Sequence, residues 1–256
     1  MKKILIILIV LGILYGGFYF LKNKQTPTED VVPKVEEKSR EITFEKQKIK
    51  EVSADKSEEI NISYPSIVNP TGDADTKINK EIKDFIDAVL AETKKNFKEF
   101  HDDPYLKDAA TPLSLTVEYV VNSNTALDVT NVMFEIYTYS GGAHGITSLK
   151  YFVFDNKTGE VLTLKDVFAG NEFLNTLSKL SILEIERIDP GLKTYNSATE
   201  GTSPKQENFQ NFALADSGFK LRFSDYQIGP YVAGRLEIIL PYEKLEADLE
   251  ERFKLK

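Results

Sequence analysis

The segment "LSLTVEYVV", residues 113–121, decides the fold class because apolar and polar side chains alternate along it. Alternation with a period of two places the apolar side chains on one face of an extended strand and the polar ones on the other. The segment "NVMFEIYTY", residues 131–139, repeats the pattern with Val132, Phe134 and Ile136. Two such segments close together in the chain predict neighbouring antiparallel strands with one buried face.

Two long amphipathic helices are predicted, one before these strands in the chain and one after them. Apolar residues between positions 76 and 100 recur at spacings of three and four, which predicts an amphipathic helix that ends before Pro104. Its apolar positions are Ile78, Ile82, Phe85, Ile86, Val89, Leu90 and Phe97. Residues 171–188 repeat this periodicity with Phe173, Leu177 and Leu180. Each helix therefore has one face to bury against a sheet.

Shorter patterns complete the predicted fold, which begins near Glu41. Pro65 is expected to end a first strand at residues 60–64. The remaining predicted elements are strands at residues 148–155, 160–164, 211–223 (turning at 216–218) and 235–242, and a terminal helix at 243–253. The predicted fold class is therefore α+β, with antiparallel sheets backed by amphipathic helices.

The N-terminus predicts a membrane anchor at residues 1–22. Residues 4–21 form an unbroken apolar run that is long enough to nearly span a bilayer, and it ends in bulky aromatic residues instead of a small-residue cleavage site. A cleaved signal peptide remains the alternative. Residues 23–40 contain two prolines and mixed charges, which is typical of a solvated stalk linker. We expect a single-pass protein of the cell membrane with its C-terminal body outside the cytoplasm.

The charge of the body limits its partners. All 40 Asp and Glu lie beyond residue 24, whereas 4 of the 32 Lys and Arg lie within residues 1–24, which leaves the body with a net charge of −12. Such a surface repels phosphate backbones, so nucleic acid is not an expected partner. It favours encounters with cationic partners, or it serves only to keep the domain soluble. The chain has no cysteine, which excludes disulfides and thiolate metal sites.

Two glycine-rich segments are candidates for a binding site or for turn architecture. In "YSGGAHGIT", residues 139–147, a turn would use Gly141, Gly142 and Gly145, and a binding site would use Tyr139 and His144. In "DYQIGPYVAG", residues 225–234, the turn residues would be Gly229, Pro230 and Gly234, and the exposed groups would be Tyr226, Tyr231 and the following Arg235. The binding alternative is contact of these aromatic and cationic groups with a sugar or a protein.

The inventory of reactive groups predicts no catalytic residue, no metal site and no cofactor. The only histidines are His101 and His144, and they lie in no zinc-binding pattern. Ser140 lies near His144, but the segment is not the G-x-S-x-G turn of hydrolases. His101, Asp102 and Asp103 resemble half of a metal site, yet a helix end before a proline also explains them. Catalysis by His144 stays the weakest of its three interpretations.

Three motifs in one order give the chain a resemblance to a known module. The motifs "GGAHG", "FDNKTGEVLTLKDVF" and "YQIGPYVAG" resemble the extracytoplasmic module shared by the anti-sigma factor RsiV and the peptidoglycan deacetylase PdaC. Residues 41–148 are similar to its PdaC-type first half, and residues 149–256 to its RsiV-type second half. The resemblance implies an α+β module of bacterial cell-envelope proteins, which recognises lysozyme in RsiV and precedes a catalytic domain in PdaC.

These observations predict a membrane-anchored binding module that recognises a cell-wall glycan or a lysozyme-like wall hydrolase. Because so few residues precede and follow the module, we expect neither a sigma-binding arm nor a deacetylase catalytic domain. Two alternatives remain: an enzyme that acts on peptidoglycan sugars, and a purely structural envelope protein.

Overall fold

The computed structural model describes residues 42–103, 112–141 and 144–254 of the chain. The predicted anchor and stalk, together with Gly142, lie outside these ranges. Among the helices within them, none combines the length and the apolar character that crossing a membrane requires.

A five-stranded sheet forms the first part of the body. Its strands lie in chain order: β1 (Phe44–Val52), β2 (Glu58–Ile67), β3 (Leu113–Asn124), β4 (Val129–Tyr139) and β5 (Ile146–Asp155). Helix α1 (Asp73–Asp102) connects β2 to β3, and these two strands run parallel because the helix returns the chain along the sheet. All other pairs are antiparallel. The fold class is thus α+β, but the expectation of purely antiparallel sheets was wrong, since this sheet is mixed.

Helix α1 covers one face of this sheet. Ile78, Ile82 and Ile86 are completely buried, at the helical spacing that the sequence shows. The Phe85 ring lies 5.2 Å from the Phe134 ring and 5.3 Å from the Phe152 ring, measured between centroids. This apolar layer is the core of the first part, and it leaves the opposite, helix-free face of the sheet for other contacts.

The second part of the body has its own core. Helices α2 (Leu164–Val167), α3 (Phe173–Ile188) and α4 (Asn196–Gly201) are followed by an antiparallel sheet of β6 (Phe212–Ala215), β7 (Gly218–Arg222) and β8 (Glu237–Leu240). Phenylalanine rings link its layers: Phe168 stacks on Phe173 with centroids 5.0 Å apart and meets Phe219 edge-on at 5.1 Å.

Two predicted elements of this part were wrong. The strand predicted at residues 160–164 is a single bridge between Phe154 and Val161, because Thr163 and Asp166 form a capping box that starts α2 instead. The helix predicted at residues 243–253 is two 3₁₀ turns, Tyr242–Lys244 and Glu251–Phe253. Between them the backbone hydrogen-bonds to Val167 and Ala169, which draws it out of helical geometry.

One buried amide joins the two parts. The Asn131 side chain, on the helix-free face of β4, donates to Leu214 O at 3.0 Å and accepts from Leu214 N at 2.8 Å. It therefore satisfies both backbone groups of one residue of β6, as a neighbouring strand would do. Strand β6 is in this way held against the helix-free face of the five-stranded sheet.

Candidate functional site

Two loops from different parts of the chain meet at the helix-free face. The first, residues 139–147, connects β4 to β5, and the second, residues 225–235, lies between β7 and β8. The His144 ring stacks on the Tyr231 ring with centroids 5.6 Å apart and planes inclined by 19°. The Tyr226 ring lies 5.6 Å from Tyr231 at 33°. We call His144, Tyr231 and Tyr226 the aromatic row.

The first loop is shaped by close contacts at its glycines. Gly141 has a φ of +86°, and a Cβ added there would lie 2.4 Å from the Phe100 ring. A Cβ on Gly145 would lie 2.3 Å from the Tyr137 ring. His144 Nδ1 is 2.9 Å from Gly145 O, and since a carbonyl only accepts, Nδ1 carries the proton in this contact. The imidazole is therefore held by its own loop.

The second loop is held by the Gln227 side chain. Its Oε1 accepts from Ser224 N at 2.9 Å, and its Nε2 donates to Gly201 O at 3.0 Å and to Asn208 O at 2.9 Å. The preceding Tyr226 has a φ of +65°, a region that costs a residue with a Cβ about 1–3 kcal/mol. The anchored glutamine offsets this strain and keeps the Tyr226 ring outward, with 60% of its surface exposed.

The predicted turn residues of the second loop carry Tyr231. A Cβ on Gly229 would lie 2.8 Å from Leu192 Cδ2, so the loop packs closely there. Pro230 precedes a 3₁₀ turn, Tyr231–Ala233, and Gly234 follows it with a φ of +70°. In this turn Tyr231 projects outward and is 51% exposed.

Arg235 lies behind the row and is largely covered. Its Nη1 is 3.1 Å from Glu135 Oε1 on β4, and its Nε is 3.5 Å from Asp225 Oδ1. Only 21% of its side chain is exposed, in contrast to the two tyrosines. The Arg235 guanidinium lies between these two carboxylates and therefore links the second loop to strand β4.

The structure does not place every predicted residue in the row. Tyr139 is the last residue of β4, is half-buried, and lies opposite Ser114 of β3 on the same face as Tyr137. His101 lies in the last turn of α1, with Nε2 3.1 Å from Glu58 Oε1 on β2. Within the described parts of the chain, no three His, Cys, Asp or Glu side chains are grouped so that they could hold a metal ion.

Four residues that the sequence analysis did not single out build this site. Glu135 and Asp225 hold Arg235, Tyr137 covers Gly145, and Gln227 fixes the second loop. The alternation along β4 does place Glu135 and Tyr137 on its polar face. Nothing in the sequence, however, links that face to residues 225–235, which are distant in the chain.

Each part of the body matches a protein-family model. Residues 34–147 match the family model described as "Deacetylase PdaC", and residues 165–243 match "Protein of unknown function (DUF3298)". The chain is 26% identical over 248 residues to the peptidoglycan-N-acetylmuramic acid deacetylase PdaC of Bacillus subtilis (strain 168). The match covers 96% of this chain but 50% of that protein, so the chain spans about half the length of this curated relative.

Two crystal structures of DUF3298 family proteins share the fold. The one from Bacteroides fragilis superposes with a TM-score of 0.66 at 19% identity, covering 84% of this chain and 96% of the other. The one from Pseudomonas aeruginosa PAO1 gives 0.61 at 17% identity, covering 84% and 97%. The predicted resemblance to a PdaC-type module is confirmed: the chain contains a PdaC-like domain followed by a DUF3298 domain.

Proposed function

We propose that this chain is a membrane-anchored binding module of the bacterial cell envelope that holds wall glycan at the aromatic row. The observation that carries the proposal is the convergence of His144, Tyr231 and Tyr226 from two loops into one exposed row. The similarity to a deacetylase named for a peptidoglycan sugar supplies the class of ligand.

Exposed aromatic rings in a fixed row suit the apolar faces of sugar rings. Burying a tyrosine face against a ligand is favourable, and little conformational entropy is lost when the ring is already held. Near the row, the partly exposed Glu135 carboxylate can accept hydrogen bonds from sugar hydroxyls. The arrangement combines stacking with polar selection, as ligand sites generally do.

The proposal places this surface outside the cytoplasm. The apolar run at residues 4–21 would anchor the chain in the membrane, and residues 23–40 would extend the body toward the wall. No catalytic residue is assigned, because the row is suited to holding a glycan and the His144 imidazole is occupied by its loop carbonyl and by Tyr231.

A lysozyme-like protein is a second candidate ligand. Val232 is 91% exposed and Ile146 is 70% exposed, and each belongs to the segment that also carries a member of the row. Exposed aliphatic side chains next to aromatic ones are typical of protein interfaces. The acidic body would also speed encounters with a basic hydrolase.

Retention on insoluble peptidoglycan tests the first candidate. The full chain, purified in a detergent without a sugar headgroup, is expected to co-sediment with purified peptidoglycan. Tyr231→Ala and Tyr226→Ala should each weaken retention about tenfold, since each removes a stacking surface. Tyr195→Ala, which removes another exposed tyrosine outside the row, is the matched control and should leave retention unchanged.

Two results would contradict the proposal. Retention that survives both substitutions in the row would exclude the row as the binding surface. Binding to lysozyme in solution, without retention on peptidoglycan, would replace the first candidate with the second.

A further inference from the structure

A cleft lies on the helix-free face of the five-stranded sheet. It has a volume of about 480 Å³ and opens between strands β3–β5 and the β6–β7 hairpin. Asn122, Asn131, Met133 and Tyr151 form its sheet side, and Lys220 and Arg222 reach it from the hairpin. We call it the hairpin cleft. It is built from both parts of the body, so it exists only when they are joined.

Arg222 is the cation of this cleft with the weakest partners. Its Nη1 donates to the Met133 sulfur at 3.1 Å, and its Nη2 lies 4.0 Å from Glu135 Oε2. A thioether is a weak acceptor, and 4.0 Å is too long for a hydrogen bond. The Arg222 charge also lies close enough to the Tyr151 hydroxyl to lower its pKa slightly. Glu135 is meanwhile closer to Arg235, at 3.1 Å.

Lys220 and Asn131, which also line the cleft, have closer partners. Lys220 forms an ion pair of 2.9 Å with Glu237 across the β7–β8 pair. The Asn131 amide is used by Leu214. Burial raises the pKa of the Tyr151 hydroxyl, and Arg222 only partly offsets this, so the hydroxyl stays protonated at neutral pH. Arg222 therefore keeps donor capacity that its neighbours in the cleft do not use.

A carboxylate fits this unused capacity. The guanidinium is planar and presents paired donors that match the two oxygens of a carboxylate. Only 22% of the Arg222 side chain is exposed, so a charge-assisted hydrogen bond there would be less screened by water than at the open surface. The Asn122 amide and the Ser217 hydroxyl line the same space and can pair with neutral polar groups next to the carboxylate.

We propose that the hairpin cleft is a binding site for a carboxylate flanked by amide or hydroxyl groups, with Arg222 as its bidentate donor. A peptide C-terminus and a sugar acid both present this chemistry. No member of the aromatic row lines the cleft, and the proposal does not require that the row binds glycan.

Isothermal titration of the full chain in detergent tests the proposal with two pairs of probes. Acetyl-Ala-Ala with a free C-terminus is compared with its C-terminal amide, and glucuronic acid is compared with glucose. At least one acid should bind about tenfold more tightly than its neutral counterpart, and the pair that does so identifies the source. Equal binding within both pairs, or no binding of either acid, would overturn the proposal.

Two Arg222 variants assign the binding to this residue. Arg222→Gln removes the charge, and Arg222→Lys keeps the charge but loses the paired donors. Both variants should therefore bind the acid about tenfold more weakly. Arg187→Gln, on the exposed surface of α3, is the control and should bind like the unmodified chain. Unchanged affinity in Arg222→Lys would exclude bidentate recognition even if Arg222→Gln failed to fold. Tyr231→Ala should keep its affinity for the acid, which separates this site from the row.

Discussion

The two faces of the five-stranded sheet differ in what they contact. On the helix-covered face, Phe134 packs among Phe85, Phe152 and Tyr119 with centroid distances of 5.2–6.4 Å. On the helix-free face of the same strands, the acidic side chains of β3 and β4 form ion pairs, Glu118 with Lys46 at 3.2 Å and Glu135 with Arg235 at 3.1 Å. One face is closed by a helix, and the other carries charges, aromatic rings and a cleft.

A single strand with alternating side chains therefore contributes both to the core under α1 and to the opposite face. Along β4, the residues that point to α1 contribute to the free energy of folding, and their neighbours that point away contact the second part of the body and form the candidate sites. Substitutions of residues that pack against α1 should therefore reduce stability, whereas substitutions of the exposed residues on the opposite face should mainly reduce binding.

The largest expected effect is on the helix-covered face. Phe134→Ala removes a completely buried ring and should lower the free energy of unfolding by about 3–5 kcal/mol. Val120→Ala, on the helix-free face of the adjacent strand, is the control and should cost less than about 1 kcal/mol because Val120 is half-exposed. Urea denaturation of both variants measures the difference. Equal losses would contradict the distinction between the buried Phe134 and the half-exposed Val120.

Substitution of Asp155, the last residue of β5, should have a smaller and pH-dependent effect on the free energy of unfolding. Burial opposes ionisation of Asp155, but hydrogen bonds from Arg252 and from the backbone of Lys157 and Thr158 outweigh it and hold its pKa below the usual 3.8. Its contribution is therefore present above about pH 4 and is lost as the pH falls through the lowered pKa. Asp155→Asn should cost about 2 kcal/mol at pH 7.

Denaturation at several pH values checks this prediction. The difference in unfolding free energy between the unmodified chain and Asp155→Asn should shrink as the pH falls below about 4. The exposed pair of Lys80 and Asp84 provides the control, and Asp84→Asn should change stability by less than about 0.5 kcal/mol. A difference that stays constant down to pH 2 would rule out the ionised Asp155 as its cause.

Two substitutions at Tyr226 should separate the strain of its backbone from the binding role of its ring. Tyr226→Ala keeps the Cβ at a φ of +65°, whereas Tyr226→Gly relieves the strain. The glycine variant should therefore be more stable than the alanine variant by about 1 kcal/mol. Both should lose retention on peptidoglycan equally, because both lack the ring. A glycine variant that is the less stable of the two would exclude strain at this position.

The smallest expected effect on stability is at Gly145. The Cβ of Gly145→Ala would overlap the Tyr137 ring, but that ring is 39% exposed and can move, so the cost should stay below about 1 kcal/mol. Retention on peptidoglycan should fall, because the displaced ring shifts the neighbouring His144. The double variant Gly145→Ala/Tyr137→Ala removes the overlap and should recover thermal stability. No recovery would mean that the glycine is required for another reason.

Local periodicity predicted the central elements of the fold. The helix predicted at residues 76–100 is Asp73–Asp102, and the strand predicted at 113–121 is Leu113–Asn124. Both patterns are set by which face is buried, and this information is contained in neighbouring residues. The short apolar run at 160–164 was misassigned because a capping box, not periodicity, decides its structure.

Strand pairing over long distances was not predictable. Strand β1 has a largely charged sequence and is ordered by antiparallel pairing with β2 along its whole length. Pro65 was expected to end this strand, but β2 continues to Ile67. Strand β2 pairs with β3 only from Glu58 to Ile62. Beyond that point β2 has one neighbour, so a residue without an N–H is tolerated.

The candidate site was predictable in its residues but not in its assembly. Glycine, proline and aromatic residues marked both loops in the sequence. The two loops meet at the His144–Tyr231 stack. This meeting depends on the hydrogen bonds between Asn131 and Leu214 and on the ion pairs of Arg235 with its two carboxylates. These contacts join distant segments by a few hydrogen bonds and ion pairs, which leave no periodic pattern in the sequence.

Hydrogen–deuterium exchange tests the central claim most directly. The full chain would be compared with and without saturating soluble peptidoglycan fragments. If the helix-free face binds glycan at the aromatic row, exchange should slow in residues 137–147 and 225–235 and stay unchanged in α1. Protection confined to α1, or no protection in either loop at saturation, would contradict the claim.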